Sequence, residues 1–150
     1  MSSQEKTITI SLSSYVLILG FYLISLLQMN RDGGLNSGKL FALWVTIVIT
    51  ILLVNVIVNI LTAIVTAVVH AIKTGSEKTE NYTADERDKL IGLKGTRLSH
   101  YTFGMGVALS MLTFVLGRSP LVMFNLIIFF SIVSELVGDF SKLYYYRKGV

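Results

Sequence analysis

The side chains with the most chemical potential in this chain stand in or beside stretches otherwise suited to hydrocarbon: Asn55, Asn59, Thr62, Arg97, His100, Glu135 and Asp139. An ionised carboxylate inside a bilayer is costly, so Glu135 must be paired, hydrated or protonated. Asp139 follows one helical turn later on the same face, and Ser131 precedes it by one turn. A Glu135–Arg97 or Glu135–His100 contact would fasten the helix carrying the carboxylates to its predecessor. Proton or cation handling by Glu135 is the competing chemistry. Asn55 and Asn59 belong to a longer stripe, Thr46, Thr50, Asn55, Asn59, Thr62, Thr66 and His70, which recurs at about one helical turn. An amide in hydrocarbon must find a hydrogen-bonding partner. The stripe therefore predicts a face turned towards other helices, with a polar conduit or binding cleft around Asn55 and Asn59 as the sharper alternative.

Other chemistries find little support. The chain has no cysteine, which removes disulfides, thiolate metal sites and cysteine nucleophiles. His70 and His100 fall near the same end of consecutive helices, but a metal site there would need Glu135 or Asp139 as further ligands, and no dense ligand spacing supports one. There is no Gly-rich phosphate loop and no nucleophile elbow. The expectation is a protein without catalytic residues, metal or cofactor.

The elements that must position these residues are membrane helices. Of the 150 residues, 53% are hydrophobic and 15% charged, against about 25% charged in soluble domains. Residues 40–72 contain no Lys, Arg, Asp or Glu. As a helix this run is about 50 Å long, well beyond a hydrocarbon core of about 30 Å. It predicts a helix that crosses the bilayer and projects past it. The first apolar run follows an n-region with only Lys6 against Glu5 and lacks a small-x-small cleavage site, so it reads as a retained helix. The expected spans are about 12–29, 40–66, 98–117 and 120–141 in one domain, 1–150. Residues 30–39 read as a turn, and Ser119 and Pro120 as the cap and first position of the fourth helix. Thr83 with Glu86 fits a capping box for a third helix that starts outside the bilayer and continues into it. Gly104 and Ala108 form a small-xxx-small pattern, with Gly106 and Ser110 nearby, and predict a close helix contact. The fold class expected is an all-α up-down bundle of four transmembrane helices, with helices 2 and 3 extended into a cytosolic hairpin at about 67–97.

Charge sets the orientation. Lys6, Lys73, Lys78, Arg87, Lys89, Lys94, Arg97, Lys142, Arg147 and Lys148 fall on the side of the termini and the central loop, against Arg31, Lys39 and Arg118 on the other. The positive-inside rule then predicts that both termini lie in the cytoplasm. The net charge of +4 points to anionic headgroups before nucleic acid, which is not expected as a partner.

The stretch 85–101, in which Asp85-Glu86-Arg87-Asp88 leads through Lys94 and Arg97 to His100 and Tyr101, resembles an element of small uncharacterised prokaryotic membrane proteins. The resemblance implies a four-helix inner-membrane protein and transfers no functional residue. Two functions compete. One is a non-enzymatic interaction, accessory or structural protein, meeting a second copy or a membrane or cytosolic partner through the hairpin 67–97. The other is a small proton- or cation-coupled transporter or channel-like protein using Glu135 and the Asn55/Asn59 stripe.

Overall fold

The computed structural model describes residues 3–31, 36–73 and 86–148. They form four helices: α1 (Ser3–Arg31), α2 (Ser37–Lys73), α3 (Glu86–Val115) and α4 (Pro120–Lys148). No strand occurs among the described residues. Each helix contains a stretch long and apolar enough to cross a bilayer, which makes this a multi-pass membrane protein.

The helix ends follow local chemistry. Asn36 caps α2, its Oδ1 accepting from the Gly38 amide at 2.9 Å and its carbonyl from the Leu40 amide at 2.9 Å. α3 closes at Gly117, the one described residue with positive φ (79°). There the Gly117 amide bonds the Phe114 carbonyl and the Arg118 amide bonds the Thr113 carbonyl, each at 3.0 Å, a Schellman closure. Ser119 then accepts the Leu121 amide on Oγ at 3.2 Å, and Pro120 opens α4 where a missing N–H costs nothing. α1 starts earlier than the expected polar lead allows. Thr9, Ser13 and Ser14 turn their hydroxyls onto the carbonyls of Glu5, Thr9 and Ile10, so polar residues enter the helix without seeking other partners. Thr83 and Asp85, the expected start of α3, lie outside the described residues, as does the 74–85 stretch of the expected hairpin.

The packing order is α3, α4, α1, α2, with α4 touching both α3 and α1. Ser11 meets Asp139 while Tyr22 meets Asn125, so α1 and α4 run in opposite directions. Among the described residues α2 and α3 make no extended contact with each other. A buried cluster of Tyr15, Ile18, Tyr22, Leu43, Ile47 and Ile132 joins α1, α2 and α4. α3 meets α4 along a seam of small residues: Gly95, Ser99, Gly106 and Ser110 are buried, with Gly95 and Ser99 against Gly138 of α4. The Gly104–Ala108 pair expected at this seam is exposed instead. The contact lies on the adjacent face because Gly106 lets Phe130 lie against bare helix backbone. A Cβ there would sit 2.2 Å from Phe130 Cγ, whereas one on Gly104 would meet nothing within 4 Å.

This difference yields a paired prediction. Gly106→Ala should destabilise the folded protein by about 1–3 kcal/mol, since the clash is with the root of the Phe130 ring rather than a mobile tip. Gly104→Ala should be neutral or slightly stabilising through helix propensity. Thermal or denaturant unfolding of the purified variants in one detergent measures both.

Candidate functional site

Three polar nodes lie between the helices. The first centres on Asn125, 9% exposed on α4. Its Oδ1 accepts from the Tyr22 hydroxyl of α1 at 3.1 Å and from Trp44 Nε1 of α2 at 3.3 Å. The Tyr22 hydroxyl oxygen also lies 2.8 Å from the Asn125 carbonyl oxygen, so its one proton is shared between the two acceptors. The Trp44 ring leans on Phe124, with centroids 5.5 Å apart. One amide thus gathers three helices. In the second node the Tyr15 hydroxyl donates to Asn55 Oδ1 at 3.1 Å, linking α1 to α2.

The third node is charged. Asp139 is buried at 5% exposure. It accepts from Ser11 Oγ at 2.5 Å and pairs with Lys142 Nζ at 2.9 Å. Buried charge is tolerated where it is paired and hydrogen-bonded, and here the carboxylate uses both oxygens. Glu135, one turn away, is half-buried and has no hydrogen bond or ion pair among the described residues. Asp139, Lys142 and His100 are the ionisable groups whose fields act on it.

The expected cluster is therefore only partly assembled. Glu135 and Asp139 share a face, as the spacing predicts. The Glu135–Arg97 contact is absent: Arg97 is exposed and donates through Nε and Nη2 to the Tyr101 hydroxyl at 3.3 and 3.1 Å. A tyrosine one turn further along the same helix satisfies the guanidinium more cheaply than a carboxylate across the seam. His100 is exposed and makes no hydrogen bond to Glu135. Asn55 is bonded to Tyr15 although much of it is exposed. Asn59 is exposed and forms no side-chain hydrogen bond among the described residues. The side chains of Thr62, Thr66 and His70 lie outside the described residues. Upstream in the stripe, Thr46 and Thr50 bond the carbonyls of Ala42 and Thr46 at 2.9 and 2.7 Å. They need no neighbouring helix, so the stripe does not act as one continuous interhelical face there.

Sequence reasoning missed Asn125, Tyr22, Trp44, Tyr15, Ser11 and Lys142. Asn125 carried a usable signal, as an amide inside the apolar run that follows Pro120. Tyr15, Tyr22 and Trp44 read as ordinary aromatic residues of a span until a partner is in view. Among the described residues no group of three or more His, Asp or Glu could hold a metal ion. No protein-family model, curated protein or solved structure matches the chain.

The Asn125 node predicts an asymmetric loss. In Asn125→Leu, Tyr22 keeps the backbone carbonyl of residue 125 as an acceptor, whereas Trp44 Nε1 loses its partner. Stability should fall by about 1 kcal/mol, within the range of interhelical hydrogen bonds in bilayers. Trp44 is the only tryptophan, so its emission reports the same event and should shift in Asn125→Leu but not in Asn59→Leu.

Proposed function

We propose that this protein is a non-enzymatic accessory or structural component of the inner membrane. The observation that carries this reading is where the buried polar groups go. Asn125, Tyr22 and Trp44, then Tyr15 and Asn55, then Ser11, Asp139 and Lys142 are used in fastening one helix to another. A site built for turnover holds side chains with unspent hydrogen-bonding capacity converging on one space. The basic bias of the termini and central segment favours an up-down bundle with both termini in the cytoplasm. In that orientation the hairpin 67–97 projects from the membrane and offers the exposed Glu86 and Lys89 to a partner, membrane-bound or cytosolic. Crosslinking in intact cells followed by purification of the full chain tests this. A partner recovered with the wild type should be lost, by about tenfold or more, with the charge-reversed pair Glu86→Lys and Lys89→Glu. Recovery of the same partner set with both chains contradicts the reading.

Glu135 favours a second reading, a small proton- or cation-coupled transporter. It is a half-buried carboxylate with no ion pair among the described residues, one turn from the Asp139–Lys142 pair. Proteoliposomes holding the wild type and Glu135→Gln separate the two readings. The accessory reading predicts no proton or cation flux above empty vesicles from either. Flux that the wild type supports and Glu135→Gln abolishes would establish the transporter instead.

A further inference from the structure

We propose that Lys94 and Arg97 on α3, flanked by Tyr101 and Tyr145, form a binding site for the headgroup of an anionic phospholipid. Both cations are exposed, and neither makes an ion pair among the described residues. Positions 94, 97 and 101 share one face of α3. The two cations are held rather than loose. Lys94 Nζ lies 4.9 Å from the centre of the Tyr145 ring, across the α3–α4 seam. The Arg97 guanidinium lies 5.5 Å from the Tyr101 ring centre. Its Nε and Nη2 donate to the Tyr101 hydroxyl, which leaves Nη1 without a hydrogen bond among the described residues. A planar guanidinium so oriented suits phosphate oxygens, and a neighbouring ammonium adds a point charge.

The depth is right for a headgroup. Gly95, between the two cations, packs against Lys142 and Gly138 of α4. Towards the membrane α3 continues as the uncharged run 98–117, and on the other side α4 presents Tyr144, Tyr145 and Tyr146. Tyrosines in such a position mark the boundary between acyl chains and headgroups. Two of the nearby carboxylates are occupied, Asp139 by Ser11 and Lys142 and Asp88 by the Tyr146 hydroxyl at 2.8 Å, while Glu135 is half-buried on α4 and leaves the exposed Lys94 and Arg97 in excess. A net positive pair of cations, each held against a tyrosine ring at headgroup depth, is complementary to a lipid that carries net negative charge, and less so to a zwitterionic one. This inference rests on the membrane-spanning fold and holds whichever of the two functional readings is true.

Native mass spectrometry of the full chain, released from mixed micelles of phosphatidylglycerol and phosphatidylcholine, provides the test. The wild type should retain phosphatidylglycerol in preference to phosphatidylcholine, and excess inorganic phosphate should not release it. The pair Lys94→Gln and Arg97→Gln should weaken that preference about tenfold or more. The control pair Lys39→Gln and Arg118→Gln removes equal charge elsewhere and should keep it. Tyr101→Phe keeps the ring, removes the hydroxyl that orients Arg97, and should lower the preference several-fold; it decides the matter if the double variant does not fold. Equal losses in both charge pairs, an unchanged preference in Lys94→Gln/Arg97→Gln or in Tyr101→Phe, or release by inorganic phosphate would overturn the proposal.

Discussion

A polar group placed in hydrocarbon must be satisfied by the protein itself, and α4 is where this chain meets that constraint. Its Asn125 holds α1 and α2 through Tyr22 and Trp44, and its Asp139 holds α1 again through Ser11. Lipid tails are as apolar as leucine, so apolar contact alone does little to choose one helix arrangement over another. Directional bonds make that choice. The two α4 nodes contact α1 at separate heights, which sets both the direction and the register of the pair.

The opposite face of α4 works by shape. Gly95, Ser99, Gly106 and Ser110 bring α3 close enough for dispersion contacts between backbone and side chain. Hydroxyls on this side stay local, as Ser110 bonds the Gly106 carbonyl at 2.7 Å and Ser134 bonds the Ser131 carbonyl at 2.7 Å. α4 therefore has a hydrogen-bonded flank and a close-packed flank. α1 and α3 attach to it by different means, and α2 is secured mainly through α1 and Trp44. This order leaves broad apolar faces of α2 and α3 uncovered by the other described helices.

Helix number and several boundaries were legible in the sequence because they rest on local rules. The uncharged run after Lys39 and the Ser119–Pro120 start of α4 each report chemistry within a few residues. The choice of packed face was not legible. A helix that is apolar all round has no strong periodicity to separate lipid-facing from protein-facing positions. Gly104 with Ala108 and Gly106 with Ser110 are equally good small-residue pairs in sequence, and only the position of Phe130 separates them. The α2 stripe overstated its case because a threonine in a helix can spend its hydroxyl on its own backbone. Glu135 and Asp139 present the same ambiguity, since sequence cannot show that Ser11 and Lys142 converge on the second carboxylate rather than the first.

The central claim is that buried polar side chains in this membrane protein hold its helices together. A double-mutant cycle between Trp44→Phe and Asn125→Leu measures this most directly, because phenylalanine keeps an aromatic ring beside Phe124 without the indole donor, and the cycle subtracts the packing lost with the smaller ring. Unfolding free energies of the wild type, both single variants and the double variant should give a coupling of about 0.5–1.7 kcal/mol. Additive effects, with no coupling beyond error, would contradict the claim and return Asn125 and its neighbours to the candidates for a working site.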